Sequence, residues 1–151
     1  MVRPVQGADV PEVVALVRET LAEFGITFGV GASTDDELSV LPGSYVDVGG
    51  QFFVAAEEGS LLGTAGVVPV EAGVFELRKM YLRPAARGKG VGQQLFDACL
   101  AFVKSRGGKR LVLDTTHQMT AAIAFYERNG FVRDDTQRRA SRCHRGYRLD
   151  L

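Results

Sequence analysis

The stretch Met80-Tyr81-Leu82-Arg83-Pro84-Ala85-Ala86-Arg87-Gly88-Lys89-Gly90-Val91-Gly92-Gln93-Gln94-Leu95 constrains the fold more than any other part of the chain. An apolar run gives way to Arg83-Pro84, then to alternating glycines, then to apolar positions at helical spacing. That order predicts a buried strand, a short loop and an amphipathic helix opened by glycine. The first amides of such a helix have no intrahelical partners, and its macrodipole adds partial positive charge at the same end. Glycines let a ligand approach the backbone, and Arg87 and Lys89 flank the turn. The combination reads as a receptor for phosphate.

Spacing separates the common phosphate loops. A P-loop needs G-x-x-x-x-G-K-[ST], and neither Gly-Lys-Ser nor Gly-Lys-Thr occurs in the chain. A dinucleotide fingerprint needs G-x-G-x-x-G; Gly88 and Gly90 fit, but the third position is Gln93 and Gly92 comes one residue early. The pattern met here is [Arg/Gln]-x-x-Gly-x-[Gly/Ala], by Arg87, Gly90 and Gly92. Further on, Ala121-Ala122-Ile123-Ala124-Phe125-Tyr126-Glu127-Arg128-Asn129-Gly130-Phe131 fits A-x-x-[FLY]-Tyr-x-x-x-Gly-Phe. These two motifs, in this order and with a strand between them, resemble the signatures of the GNAT superfamily of N-acetyltransferases. The likeness covers residues 50–132, and the two ends by element order alone.

The resemblance implies an α+β fold in α/β/α layers: a mixed, mostly antiparallel sheet of six or seven strands, a splayed central strand pair and about four helices. It implies transfer of acetyl from acetyl-CoA, a co-substrate, to an amine. Glu76, on the strand leading into the loop, matches the position of a basic glutamate. An alkyl ammonium has a pKa of about 10.4, so a positioned carboxylate is needed to take its proton near neutrality. The alternative for Glu76 is an exposed strand residue pairing with Arg78 or Lys79. Tyr126 matches the tyrosine that protonates the departing thiolate, its alternative being packing beside Phe125. Backbone groups of Met80, Tyr81 and Leu82 would stabilise the oxyanion and hold the pantetheine arm. The amides of Gly88, Lys89, Gly90, Val91 and Gly92, with Arg87, would hold the diphosphate; Ala122 and Phe125 would line the arm's path. Met119 stands where the superfamily often has asparagine, so Thr116, His117 or Thr120 would have to substitute. No metal is implied, and no His/Cys/carboxylate cluster has metal spacing.

The rest of the chain agrees with one domain over residues 1–151. Val2 to Gln6 reads as a strand and residues 10–24 as a helix, with Asp9 and Glu12 as a capping box. Residues 26–50 read as irregular, with a short helix at Asp35-Asp36-Glu37; in the superfamily this region walls the acceptor. Strands follow at Gln51–Ala56, Leu61–Pro69 and Gly73–Leu82. A helix at Val91–Arg106 (Val91, Leu95, Cys99, Phe102 and Val103 inward) leads to a doubly buried strand at Lys109–Thr115. A helix at 120–129 and strands at Phe131–Asp135 and Arg145–Leu151 complete the order.

No apolar run is long enough to span a membrane and the N-terminus shows no signal peptide, so the expectation is a cytoplasmic protein with reduced thiols. Residues 1–77 carry two basic and twelve acidic side chains, residues 78–151 sixteen and six. The acidic half could steer a cationic acceptor; alternatively the opposite charges interleave and cancel. The basic run Arg138, Arg139, Arg142, Arg145 and Arg148 reads as a solvated edge, without the interleaved aromatics of a nucleic-acid surface. The expected acceptor is a small-molecule amine or amino-acid derivative. A protein or peptide acetyltransferase and a non-catalytic CoA-binding sensory domain are the alternatives; a homodimer is left open.

Overall fold

The computed structural model describes residues 1–151. Its strands are β1 (Val2–Pro4), β2 (Gln51–Glu57), β3 (Ser60–Glu71), β4 (Val74–Leu82), β5 (Arg110–Thr115), β6 (Val132–Arg133) and β7 (Arg145–Asp150). The helices are α1 (Val10–Glu23), a single turn α2 (Gly43–Val46), α3 (Val91–Ser105) and α4 (Thr120–Arg128). Short 3-10 segments cover Gly7–Asp9, Ser33–Val40, Pro84–Ala86 and Asp135–Gln137. All strands lie in one sheet of order β1-β2-β3-β4-β5-β7-β6, antiparallel throughout except for the parallel β4–β5 pair. The order and fold class expected from the sequence hold.

Period-two alternation divides the sheet between two cores. Phe52 and Val54 of β2 face α1, whose Val13, Leu16, Val17 and Leu21 are buried, together with Leu38, Leu41 and Tyr45 of the 33–46 segment. Ala55, Ala65 and Val67 face the other way, onto Leu95, Phe96, Cys99 and Val103 of α3 and Ile123 and Tyr126 of α4. Leu111, Val112 and Leu113 are fully or almost fully buried, as a strand covered on both faces requires. The Glu57–Ser60 hairpin turns through Glu58 and Gly59, both at positive φ (50° and 79°), the twist that suits a two-residue hairpin loop.

Four local expectations need correction. Asp9 does not cap α1: its carboxylate turns back to accept from the Gln6 amide (2.8 Å) and to pair with Arg3. Glu12 is not its capping partner either; it accepts from the Leu61 amide at 2.7 Å and ties α1 to β3. Phe96 belongs to the buried stripe of α3, whereas Phe102 is only partly covered and carries the Arg106 guanidinium over its ring. The expected strand at Phe131–Asp135 shrinks to the two residues of β6, because the chain turns away through Asp135–Gln137.

The charge imbalance between the halves is resolved by pairing across them. Arg83 meets Glu19 and Glu12, Arg87 meets Glu23, Arg78 meets Glu37 and Glu76, Lys79 and Arg142 meet Asp35, and Arg139 faces Glu71 and Glu76. Interleaving, rather than two opposed faces, is what the folded chain presents.

Candidate active site

The site begins where the sheet opens. β4 and β5 pair only at Val74–Arg110, Phe75–Leu111 and Glu76–Val112; beyond Glu76, β4 has no strand on that side. At this place β4 carries a bulge, with Lys79 and Met80 opposing the single residue Ala65. Lys79 sits at φ 55°, a left-handed conformation unusual for a lysine, and the Thr64 hydroxyl donates to its carbonyl at 2.7 Å. A bulge bends and over-twists its strand. The edge of β4 from Lys79 to Leu82 therefore borders a gap in the sheet, where backbone groups can meet a ligand instead of a neighbouring strand.

The glycine loop closes one end of that gap. Gly88 and Gly90 adopt φ 74° and 81°, and a Cβ at either would meet nothing within 4 Å, so it is the backbone conformation, not crowding, that asks for glycine. None of the six amides from Gly88 to Gln93 donates to another backbone group; the first bond of α3 is Gln94 to the Gly90 carbonyl. A cleft of about 320 Å³ leads away from them, lined by Met80, Tyr81, Leu82, Arg87, Gly88, Gly92, Ala122 and Phe125, all singled out in the sequence. Thr120 and Arg128 line it too. Lys89, Gly90 and Val91 are on the loop at its mouth but not along its walls. The Arg87 guanidinium is occupied: it grips Glu23 of α1 at 2.9 and 3.0 Å and donates to the Leu82 carbonyl at 3.0 Å. Arg87 thereby braces the loop against α1.

A larger cavity, about 720 Å³, lies on the other side of the gap. The two spaces share Met80, Tyr81, Met119 and Tyr126, so they meet beside the opening of the sheet. Tyr126 is buried, and that burial, reinforced by Tyr81 and Cys143, raises its phenol above the ordinary value and keeps it protonated. Thr116, expected beside the cofactor, borders the larger cavity instead and has a buried hydroxyl with no partner. His117 borders neither space; its Nδ1 meets His144 Nδ1 at 2.8 Å on the surface. Cys143 reaches the larger cavity, its thiol pushed up to about 12 by burial and Asp114.

Glu76 is not an exposed strand residue. It is 4% exposed and reaches the larger cavity. One carboxylate oxygen is held by Arg78 Nε; the other, Oε2, is buried without a hydrogen-bond partner and lies 3.5 Å from Arg139 Nη1. A carboxylate fixed through one oxygen, with the other lacking a hydrogen-bond partner, suits proton acceptance from a guest in the cavity.

The last loop is where the sequence was most misleading. β7 is an interior strand, so its arginines do not blunt a sheet edge. Arg142 donates to Asp35 at 2.6 and 3.0 Å, and Lys79 and the Gly29 amide (2.8 Å) complete the carboxylate. Asp35 is 1% exposed. Burial alone would push its carboxyl up, but the hydrogen bonds from Arg142 and Lys79 outweigh burial and hold it below the usual carboxylate value. The Arg142 amide and the Ser141 hydroxyl also donate to the Gly31 carbonyl, both at 3.2 Å. The 26–50 segment and the loop before β7 are thereby stitched together along the larger cavity. Nothing in Asp35-Asp36-Glu37 or in the basic run distinguishes the buried members from the solvated ones; only long-range pairing does.

Residues 15–131 match the model of the acetyltransferase (GNAT) family, and the chain belongs to that family. It is 35% identical over 131 residues to an uncharacterised N-acetyltransferase of Escherichia coli K12, YjgM, covering 84% of this chain and 78% of that one. Among solved structures, a GNAT-family acetyltransferase from Staphylococcus aureus Mu50 superposes with a TM-score of 0.92 at 21% identity, over 100% of this chain and 98% of the other. The structure of YncA from Salmonella typhimurium with its cofactor acetyl-CoA superposes at 0.78 and 19% identity, over 100% and 93%. The chain is thus an acyltransferase of the GNAT fold. None of its helices is long and apolar enough to cross a membrane.

Proposed function

We propose that the chain transfers acetyl from acetyl-CoA to the amine of a small molecule, with Glu76 as proton acceptor and Tyr126 as proton donor. The observation that carries this reading is the meeting of the two cavities at Met80, Tyr81, Met119 and Tyr126, beside the opening between β4 and β5. One space has the features a nucleotide thioester needs, and the other has a buried carboxylate oxygen free to accept a proton.

The residues of the narrower cleft fit coenzyme A. Six unpartnered amides at a helix start match a diphosphate. The small residues Gly92, Ala121 and Ala122 leave width for a pantetheine arm, and the open edge of β4 offers it backbone partners. Bound acetyl-CoA supplies the acyl group as a reactive thioester. The chain's own part is positioning and proton transfer. Glu76 Oε2 takes a proton from the acceptor ammonium, directly or through one water, while Arg78 keeps the carboxylate in place. Backbone N–H groups along the free edge of β4 face the charge that develops on the carbonyl oxygen; such fixed donors in a dry site are worth several kcal/mol. Tyr126, kept neutral by burial, gives its proton to the leaving sulfur.

A small acceptor is favoured over a protein because the 26–50 segment and the loop before β7 are tied across the larger cavity by Asp35, Arg142 and Gly31. The test is release of free CoA across a panel of small amines and peptides, alongside equilibrium binding of CoA. Turnover lost in Glu76→Gln with CoA binding retained supports the reading. CoA binding with no acceptor turned over, by wild type or variant, would instead favour a sensory domain.

A further inference from the structure

Arg139 is the one cavity guanidinium whose charge is not closely matched. Its backbone amide and that of Ala140 donate to Asp114 at 2.6 and 2.8 Å, and Nη1 donates to the Gln137 carbonyl at 3.0 Å, so the residue is held at its backbone and through one nitrogen of its guanidinium. Its carboxylate contacts are loose: Glu76 Oε2 at 3.5 Å and Glu71 at 3.8 Å. Arg142, by contrast, is bound to Asp35 through two short hydrogen bonds, and Arg78 holds Glu76 and Glu37. The unpartnered oxygen of Glu76 and the under-used fork of Arg139 therefore stand side by side, opposite in charge, on the wall of one cavity.

We infer that the acceptor is an α-amino acid, its carboxylate taken by Arg139 and its amino group presented to Glu76 Oε2. This deepens the reading above and rests on it. An α-amino acid carries its ammonium and carboxylate on one carbon, so both groups fit a pair of protein charges that are themselves in near contact. Inserting the zwitterion replaces one loose ion pair by two close ones, with charges alternating from Arg78 through Glu76, ammonium and carboxylate to Arg139. A simple alkyl amine brings no partner for Arg139 and adds a cation where two guanidiniums already flank one carboxylate. A polypeptide N-terminus lacks the α-carboxylate and gains nothing from Arg139. A planar guanidinium suits a carboxylate because it can offer two parallel N–H groups.

The experiment compares acceptors that differ only in the α-carboxylate, such as phenylalanine, phenylalaninamide and 2-phenylethylamine, by CoA release and by calorimetric titration in the presence of CoA. Wild type should favour the amino acid by roughly tenfold or more in kcat/KM and in affinity, the worth of one charge-assisted hydrogen bond. In Arg139→Met that ratio should fall toward one, chiefly through KM, and Arg139→Lys should recover part of it. Equal use of the three acceptors by wild type, a preference for the amide or a peptide, or a ratio that survives in Arg139→Met would overturn the inference while leaving acetyl transfer intact. Because the titration reads discrimination without turnover, failure of the transfer chemistry would show separately, as CoA and amino-acid binding without CoA release.

Discussion

Removing the Asp35 carboxylate should destabilise the whole domain, by an amount its surroundings allow one to work out. Asp35 collects four donors: two from Arg142, one each from Lys79 and the Gly29 amide. The Lys79 and Arg142 side chains are only 4% and 12% exposed, so Asp35→Ala leaves two buried cations facing each other and an orphaned backbone N–H. Deleting one partner of a buried ion cluster costs about 3–5 kcal/mol. Since a domain's total stability is about 5–15 kcal/mol, and each kcal/mol shifts Tm by about 2–4 °C at this size, the midpoint should fall by about 6–20 °C. The chain has no tryptophan, so urea and thermal unfolding are followed by far-UV circular dichroism. The sign with pH is set by the lowered pKa of Asp35. A carboxyl depressed in the folded state contributes stability above its unfolded value of about 3.9, and loses it as pH falls through the folded pKa. The gap between wild type and Asp35→Asn should therefore be full at neutrality and close in acid. Replacing the whole cluster, as Asp35→Leu with Lys79→Met and Arg142→Met, should recover most of the loss, because an apolar substitute for a buried ion cluster is often neutral or better. If Asp35→Ala costs under about 1 kcal/mol, or the triple variant is no more stable than the single one, the cluster does not hold these segments as argued.

Other perturbations probe the reaction and the cofactor cleft. Glu76→Gln should lower kcat about 100-fold or more with CoA affinity retained, the usual scale for losing a general base; retained turnover would remove Glu76 from the proton path. Tyr126→Phe should likewise lower kcat while CoA still binds in equilibrium dialysis, and an equal loss of binding would mark the tyrosine as packing alone. Glu23→Gln releases Arg87 from a half-exposed ion pair worth up to about 1 kcal/mol, so CoA should bind up to about fivefold tighter, most clearly at low salt. Weaker binding would mean that Arg87 serves the cleft only by bracing the loop. Gly90→Ala meets no atom within 4 Å. It should therefore cost only the left-handed backbone, about 1–2 kcal/mol by chemical denaturation, together with a weakened grip on CoA.

How much of this was legible in the sequence depends on the range of the interactions concerned. The glycine loop, the α4 motif and the strand order were readable because each rests on neighbours in the chain: amides left free by a helix start, glycines in tight turns, and apolar runs bounded by turn residues. The capping box at Asp9 and Glu12 was misread although its spacing was right, since Arg3 and the Leu61 amide compete for the two carboxylates. The charged lining of the larger cavity was hidden for a related reason. Asp35 lies 107 residues from Arg142, and Glu76 meets Arg139 across the sheet opening, pairings that no local pattern encodes. An acidic stretch and a basic stretch look alike whether they face water or each other. What separates them is whether the fold removes water from between them, and here it does so at the place where β4 parts from β5. Because that parting leaves the backbone of β4 without a strand partner while charged side chains gather around the larger cavity, one irregularity in the sheet shapes both halves of the proposed site. The half proposed to hold the cofactor reads locally, and the half proposed to hold the acceptor reads only in three dimensions.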